Sequence, residues 1–512
     1  MIGSGRRRGL AVAPVLVVAW GVVTAGAASA VAGSGTPRAS AIDAGTVSRY
    51  VADYRNVTGL PGAVVVITQG DHVVTAGGYG SDSRGDALTS RSPLPAASLS
   101  KSFTATAVLQ LVEAGKVTLD HPVVEYLPEF APADARAPRI TVRELLNQTS
   151  GMSDTGFAAM HVGRQPSLRA AVALLRTAHL TADPGTRFQY HNPNYWVAAR
   201  LVEVVAGQPY GDYLRTHVLD PAGMTDTFAA ADPSGFTGVA DGYVDAGLTQ
   251  LSLPEPQWPL YGAADVVTTA ADLGRWLIAQ TTGRTTAGRP LLSAASLREL
   301  HTASDPSGRH ALGWTLSAPG AEPATIGHDG TLFTFSASQT LLPGSGYGIA
   351  VLADRGLGLT SALGVAPHDA AAIREALVAL QADQNSGFTP SRARFWTDLA
   401  LASALVAVLG GAVRALRGTR RWATRRGAGP WWRVGLGLLP WLLPAVLLGV
   451  LPWIAVALTG RDVTFLELAY ISPVLVVGLA VTGLLGLTVI AVRVVRCAQD
   501  PRLRHRVRGA DS

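Results

Sequence analysis

Two residues that could do chemistry together lie three positions apart in the segment AASLSKSFT. They are Ser98 and Lys101, and Lys101 is one of only two lysines in a chain with 42 Lys and Arg residues. If a helix begins near Ser98, both side chains project from one face, about one turn apart. A neutral amine beside a hydroxyl can take its proton and make the oxygen a nucleophile. Arginine cannot do this because its pKa is too high, which gives a reason for a lysine here.

A second candidate group precedes an apolar helical pattern in the segment RFQYHNPNYW. Tyr190 and Asn192 come just before this pattern, so both side chains could project from a loop. A phenol can relay protons, and an amide can orient either a substrate carbonyl or Lys101. Tyr190 is therefore a candidate acid or base, and Asn192 a candidate binding residue.

A third group lies in the segment ATIGHDGTLFTFSASQ, where His328, Gly330 and Thr331 lead into a strand pattern. A glycine there lets a substrate approach the backbone closely. The N–H of Thr331 could then complete an oxyanion hole with the N–H of Ser98, which lies at the N-terminus of its expected helix.

Apolar periodicity predicts the elements that must position these groups. Helical spacing occurs at residues 47–54, 98–115, 194–205 and 370–380, and TVRELL carries a capping-box pattern. The segment GLPGAVVVITQGDHVVTAGGYG has two β-branched runs around a Gly-Asp turn, which predicts a hairpin. Further strand patterns occur at residues 311–316, 333–342 and 347–352. Strands near both ends with helices between them predict an α+β fold whose sheet joins the two ends.

In this order, the three groups resemble the motifs Ser-x-x-Lys, Tyr-x-Asn and His-x-Gly of the serine β-lactamase and penicillin-binding-protein superfamily, in its class C-like branch of β-lactamase-related serine hydrolases. The resemblance covers most of residues 44–380, including ITVRELLNQTSGM and YGAADVVTTAADLGRWL. It implies an α+β fold in which helices flank an antiparallel sheet, with an added all-α subdomain. The site residues it implies are Ser98, Lys101 and Tyr190 for catalysis, and Asn192, His328, Gly330 and Thr331 for substrate binding.

By this resemblance Ser98 is acylated by the substrate, and water then hydrolyses the acyl-enzyme. Either a neutral Lys101 or a Tyr190 phenolate can be the base, and the sequence does not choose between them. Where β-lactamases place a lysine in the third motif, this chain has His328, so a permanent cation for a substrate carboxylate is missing. We therefore expect poor β-lactam hydrolysis and take a D-amino peptide, an amide or an ester as candidate substrates.

Hydropathy predicts an exported, membrane-held chain. Residues 1–30 carry three arginines, an apolar run and the sequence Ala-Ser-Ala of a secretory signal, although the run is long enough for an uncleaved anchor. Apolar stretches at about 395–413, 434–458 and 465–492 are each long enough to cross a bilayer. The expected division is a signal peptide or N-terminal anchor at 1–30, a hydrolase domain at 43–382, a linker at 383–394 and three membrane helices within 395–512.

The arginines predict the orientation. Seven lie between the first two apolar stretches and six in the tail after residue 492, whereas the loop between the second and third stretches has only Arg461. Basic residues mark the cytoplasmic side, so the catalytic domain and the Arg461 loop are expected outside the cell. Residues 31–395 hold 25 basic and 31 acidic residues, so the formal charge of +6 does not indicate a nucleic-acid partner.

No metal or cofactor is expected. Cys497 is the single cysteine and falls on the cytoplasmic side, and no His, Asp or Glu cluster has ligand spacing. The expected function is a membrane-anchored, extracytoplasmic serine hydrolase acting on a small molecule or peptide; no protein partner is indicated. One alternative is a penicillin-binding sensor acylated without efficient turnover, although the short cytoplasmic segments contain no recognisable effector domain. A channel or transporter is disfavoured by the scarcity of charge inside the spans.

Overall fold

The computed structural model describes residues 42–247, 249–318, 320–321, 324–382, 392–426, 431–461 and 463–499. The predicted signal peptide or anchor lies outside these residues, and so does most of the predicted linker. The described chain consists of an α+β region followed by three long apolar helices, as the sequence predicted.

Eleven strands are present in the described residues. They are β1 (Gly62–Gln69), β2 (His72–Gly80), β3 (Leu94–Pro95), β4 (Phe228–Ala229), β5 (Gly242–Asp245), β6 (Gln250–Leu253), β7 (Val266–Thr268), β8 (Thr315–Leu316), β9 (Ile326–Thr331), β10 (Ser336–Leu342) and β11 (Tyr347–Ala353). The main sheet is antiparallel, in the order β2-β1-β11-β10-β9-β8, and the remaining strands form two small sheets. Val65 pairs with Val351 in the β1–β11 ladder, so the sheet joins the two ends of the domain, as predicted.

The helices of the described residues fill the middle of the chain and its C-terminal region. They are α1 (Ala44–Thr58), α2 (Ser100–Glu113), α3 (Val142–Leu146), α4 (Leu168–Ala173), α5 (Pro193–Ala206), α6 (Tyr210–Tyr213), α7 (Asp220–Ala222), α8 (Ala270–Thr282), α9 (Ala294–His301), α10 (Leu359–Ala362), α11 (Asp369–Gln381), α12 (Ala393–Arg417), α13 (Thr419–Arg426), α14 (Trp431–Thr459), α15 (Phe465–Ile471) and α16 (Pro473–Gln499). The predicted capping box begins α3, because Thr141 and Glu144 each accept a hydrogen bond from the other's backbone N–H.

Alternate residues of β1 point into two separate cores. Val64 and Val66 join the core that contains α2 and α8, whereas Val65 belongs to the core that contains α1 and α11. Strands buried on both faces in this way are continuously apolar, which explains the Val-rich run of β1. On α2, Phe103 stacks on Trp276 with 3.9 Å between ring centroids, and both side chains are fully buried. Burying one such ring stabilises the fold by roughly 1.5–3 kcal/mol, which fixes the helix that follows Ser98.

Two strand predictions were wrong in their limits. The pattern at 311–316 gives only the two residues of β8, and the pattern at 333–342 begins as a strand at Ser336. The intervening β9 was not predicted as a strand, because its sequence IGHDGT has two glycines and little apolar alternation. Pairing with β10 holds it extended.

Three helices, α12, α14 and α16, are long and apolar enough to cross a membrane. The third predicted stretch was wrong in its extent, because the chain leaves helical geometry at Ser472 and divides residues 465–492 into α15 and α16. Pro473 explains the break, since it has no N–H to donate to the preceding turn and disfavours helical geometry in the residue before it.

Candidate active site

Ser98 lies in a single 3₁₀ turn, Ala97–Leu99, directly before α2. Ala97 has a φ of 49°, in the left-handed region that non-glycine residues seldom occupy. The Ser100 hydroxyl fixes this turn by donating to the Ala97 carbonyl at 2.7 Å and accepting from the N–H of Val266 at 2.9 Å. The hydroxyl of Ser98 is therefore held at the N-terminal end of the helix by a strained backbone.

Lys101 is buried, with 1% of its surface exposed. Its Nζ lies 3.1 Å from Ser98 Oγ, 2.9 Å from Asn192 Oδ1 and 2.8 Å from the carbonyl oxygen of Ala263. The last two oxygens can only accept, so they suit the two N–H bonds of a neutral amine and leave its lone pair to face Ser98. Burial, followed by the charge of Arg461, lowers the pKa of Lys101 well below its ordinary value. These surroundings favour a proton-accepting amine.

Tyr190 is the second residue that forms a hydrogen bond with the Ser98 hydroxyl. Its OH donates to Ser98 Oγ at 2.8 Å, and Lys101 Nζ lies 4.8 Å from the centre of its ring. Burial raises the pKa of Tyr190 to about 12, against the opposing effects of the Ser98 hydrogen bond and the Arg461 charge. The phenol thus keeps its proton at neutral pH, and hydrogen bonds can run from Tyr190 through Ser98 to Lys101.

Asn192 stands at the start of α5, directly before Pro193, and its side chain is almost fully buried. Pro193 at the first helical position needs no hydrogen-bond acceptor for its nitrogen, which suits it to follow the motif. Of the two roles considered for the Asn192 amide, the structure contains the contact with Lys101. Contact with a substrate carbonyl stays a prediction.

Strand β9 brings the third motif against the turn of Ser98. A Cβ added at Gly330 would lie 2.9 Å from Ala97 Cβ, 2.9 Å from Ser98 N and 3.0 Å from the Ala96 carbonyl. A side chain has no room there, so the glycine allows strand and turn to pack directly. Thr331 is the last residue of β9, and its place in an oxyanion hole stays a prediction.

His328 lies in β9 with its ring centre 6.2 Å from that of Tyr190. Its Nδ1 lies 2.6 Å from the carbonyl oxygen of Asp329, which can accept the Nδ1–H bond of a neutral ring. Partial burial, followed by the charge of Lys101, lowers the pKa of His328. The imidazole is therefore uncharged at neutral pH and supplies no permanent cation.

Aromatic side chains line the cleft beside Lys101. Phe188 stacks on His310 with 3.5 Å between ring centroids, and Trp314 forms part of the same wall. The cavity that they line has a volume of about 30 Å³, which is room for a water molecule and not for a substrate side chain. Within the described residues, no cluster of three or more His, Cys, Asp or Glu side chains is placed to hold a metal ion.

Sequence reasoning missed a charged group beside Tyr190. His191 is fully buried, and its Nδ1 lies 2.8 Å from Asp154 Oδ1. The other oxygen of Asp154 accepts from Nε of Arg461 at 3.0 Å. Burial would raise the pKa of Asp154, but the His191 hydrogen bond and the Arg461 charge hold it below its ordinary value. Two features of the sequence could have pointed to this group. His191 is the middle residue of the Tyr-x-Asn motif, and Arg461 is the single arginine of its loop.

Comparison with known proteins gives a consistent result. The family model described as Beta-lactamase matches residues 47–373. Penicillin-binding protein 4 of Amycolatopsis lactamdurans is 32% identical over 317 residues, which are 58% of this chain and 82% of that protein. Protein flp of Staphylococcus aureus strain MRSA252 is 28% identical over 303 residues, and the match spans only 60% of its length.

Solved structures share the fold at lower sequence identity. The octameric penicillin-binding protein homologue from Pyrococcus abyssi superimposes with a TM-score of 0.57 and 22% identity, over 67% of this chain and 78% of that chain. The D-amino acid amidase from Ochrobactrum anthropi SV3, complexed with L-phenylalanine amide, gives a TM-score of 0.56 and 22% identity, over 67% of this chain and 99% of that chain. Both matches concern the α+β fold.

Proposed function

The chain belongs to the beta-lactamase family, and on this basis we propose that it is a membrane-anchored serine hydrolase that forms an acyl-enzyme at Ser98. The observation that carries the proposal is the convergence of Lys101 Nζ and Tyr190 OH on Ser98 Oγ, at 3.1 and 2.8 Å. Burying a lysine is costly to a fold. Its presence beside a hydroxyl in a cleft therefore favours a catalytic role over a structural one.

Acylation follows from the directions of these hydrogen bonds. Neutral Lys101 takes the proton of Ser98 as Oγ bonds to the substrate carbonyl carbon. The carbonyl oxygen becomes an oxyanion that accepts from the N–H groups of Ser98 and Thr331. The bond to the leaving group then breaks, and the leaving group takes a proton from Tyr190, which recovers one from protonated Lys101 by way of solvent, because Oγ is now an ester oxygen.

Deacylation uses the same groups in the reverse direction. A water molecule loses a proton to Lys101, which is neutral again, and attacks the ester carbonyl. The oxyanion forms again in the same hole. Breaking the bond to Oγ releases the acid, and Ser98 recovers its proton. The net reaction is hydrolysis, with no cofactor consumed.

The proposed substrates are an amide, a D-amino peptide or an ester. Because His328 is uncharged at neutral pH, β9 offers no permanent cation to a β-lactam carboxylate. The 32% identity with penicillin-binding protein 4 supports including a penicillin among the probes.

The proposed location is the outer face of a membrane, with the catalytic domain outside the cell. Support comes from the three apolar helices and from the arginines on either side of them. Glu467 and Arg461 lie between α14 and the last apolar helix, on the side assigned to the exterior. A reporter fused after Ser512 should be cytoplasmic.

A second candidate is a penicillin-binding sensor that is acylated without efficient turnover. The observation that favours it is the contact of Arg461, in a loop between helices of the membrane region, with Asp154 beside the site. Such a contact could pass a change at Ser98 to α14. A long-lived acyl adduct without multiple turnovers would favour this candidate over the hydrolase.

Labelling tests the proposal directly. The full chain in detergent micelles is treated with a fluorescent fluorophosphonate and a fluorescent penicillin, and wild type is compared with Ser98→Ala. We expect one labelled serine in the wild type and none in the variant. Turnover is then measured with p-nitrophenyl esters, D-amino acid amides and nitrocefin. Labelling or turnover that persists in Ser98→Ala would refute the assignment.

A further inference from the structure

The loop between α14 and α15 carries Arg461 into the candidate active site. Thr459 holds this loop by accepting from the N–H of Arg461 at 3.2 Å, and Gly460 follows α14 with a φ of 68°. The guanidinium carbon of Arg461 then lies 5.5 Å from the ring centre of Tyr190. A segment between two apolar helices thus contributes a side chain to a site otherwise built by the α+β domain.

Contacts of α15 hold this loop independently of the arginine. Thr464 and Glu467 form a capping box, which fixes where α15 begins. Tyr470 donates from its hydroxyl to the carbonyl of Pro254 at 2.9 Å, and its ring packs edge-on against Phe333 at 6.1 Å. The position of Arg461 is therefore set by a docked helix as well as by its own ion pair.

Among the residues that the structure describes, the guanidinium of Arg461 is hydrogen bonded only through Nε. Nε donates to Asp154 at 3.0 Å, and Asp154 is 3% exposed while 45% of the Arg461 side chain is exposed. Within the described part of the chain, Arg461 also lies against the Tyr190 ring, and the charge of the Glu467 carboxylate acts on it together with that of Asp154. The edge formed by Nη1 and Nη2 is the edge with which arginine binds a carboxylate through two parallel hydrogen bonds.

We propose that Arg461 binds a carboxylate on the leaving-group side of the substrate. This inference rests on the proposed function. Tyr190 is the proposed proton donor to the leaving group, so a cation against its ring lies on that side of the scissile bond. Neither His328, which is uncharged, nor Lys101, which is hydrogen bonded to Ser98, Asn192 and Ala263, is free to fill this role.

The substrate class that follows is an acyl donor whose leaving group carries an anion, such as a peptide with a free C-terminal carboxylate. An intact membrane region would be needed to bind it, because the cation comes from the α14–α15 loop. The α+β domain alone would keep Ser98 and Lys101 and lose this preference.

Matched esters test the proposal on the full chain in detergent. The probes are the phenylacetyl esters of 3-hydroxybenzoate and of 3-hydroxybenzamide, whose leaving groups have nearly the same size and differ by one charge. Because the Arg461 charge also acts on Lys101, the readout is the ratio of the two kcat/KM values, in which effects common to both esters cancel. Each rate is corrected for spontaneous hydrolysis.

In Arg461→Gln we expect the ratio of carboxylate to carboxamide ester to fall at least tenfold, mainly through a higher KM for the carboxylate ester. Arg461→Lys should keep part of the preference, because it keeps the charge and loses the paired donors. An unchanged ratio in Arg461→Gln overturns the proposal. If both rates fall equally, Arg461 only supports the site, and if both rise equally, it obstructs entry.

Arg164→Gln is the matched control. Arg164 also donates from Nε to a buried aspartate, Asp232, at 2.8 Å, and it contacts none of Ser98, Lys101 and Tyr190. In Arg164→Gln the ratio of the two kcat/KM values should equal that of the wild type. Fluorophosphonate labelling separates the two hypotheses: failure of the proposed function removes Ser98-dependent labelling in the wild type, whereas failure of the Arg461 proposal leaves it intact.

Discussion

The pH dependence of Ser98 acylation distinguishes the two candidate bases. If neutral Lys101 is the base, raising the pH removes its proton, and the rate rises and then levels off above the Lys101 pKa. Burial and the Arg461 charge hold that pKa well below 10.5, so the plateau should begin well before pH 10. If a Tyr190 phenolate is the base, the rate must follow a group whose pKa is about 12.

The difference in magnitude is large. With a pKa of about 12, Tyr190 is ionised in about one molecule in 10⁴ at pH 8, a penalty of about 5 kcal/mol at 1.36 kcal/mol per pH unit. The phenolate route therefore predicts a tenfold rise per pH unit through pH 10 and beyond. The Lys101 route predicts a nearly constant rate over that same interval.

The assay is the second-order rate of Ser98 labelling by an uncharged fluorophosphonate between pH 5 and 11, with Ser98→Ala as the blank for base-catalysed background. In Lys101→Arg the cation cannot lose its proton, so we expect a rate about 10²–10⁴ lower, the usual contribution of a general base. Tyr190→Phe should keep the position of the rising limb. A wild-type rate that still increases tenfold per unit above pH 10 would show that Lys101 is not the base.

Two further predictions concern packing and stability. Gly330→Ala should slow Ser98 labelling at least tenfold and lower the Tm, because the added Cβ would lie 2.9 Å from Ser98 N. The control is Gly344→Ala, because no atom lies within 4 Å of a Cβ added there. Equal labelling rates in the two variants would contradict this account. Asp369→Asn should destabilise the fold by about 3 kcal/mol in chemical denaturation, because the buried Arg355 loses its nearer carboxylate partner and keeps only Asp245, at 3.4 Å. Burial alone would raise the pKa of Asp369, but the charge of Arg355 holds that pKa below its usual value. Protonation of Asp369 therefore weakens the pair, and the free energy of unfolding of the wild type should fall as the pH drops below about 4. Asp369→Asn has no carboxylate to protonate, so it should lack this part of the pH dependence.

Local patterns predicted much of the fold because their physical causes are local. The hairpin of β1 and β2 follows from two β-branched runs and a Gly-Asp turn, and α5 ends at Gly207, which has the positive φ that glycine tolerates. The spacing of Ser98 and Lys101 corresponds to one helical turn, and their side chains do meet at 3.1 Å. By contrast, β9 depends on pairing with β10, so its own sequence gave little indication of a strand.

The sequence alone determined the helices and strands with strong local periodicity, the presence of three long apolar helices, the Ser98–Lys101 spacing and the likeness to a family, because helix period, strand alternation and span length are set by neighbouring residues. Only the tertiary structure decided what surrounds the reactive pair: the Ala263 carbonyl on Lys101, the left-handed Ala97 before Ser98, and Arg461 beside Tyr190. The Lys101–Ala263 and Arg461–Tyr190 contacts join residues far apart in the chain, and the Ala97 turn is held by contacts with the distant residues Val266 and Gly330. They form only when the chain packs into its tertiary structure, so the spacing of residues along the sequence does not predict them.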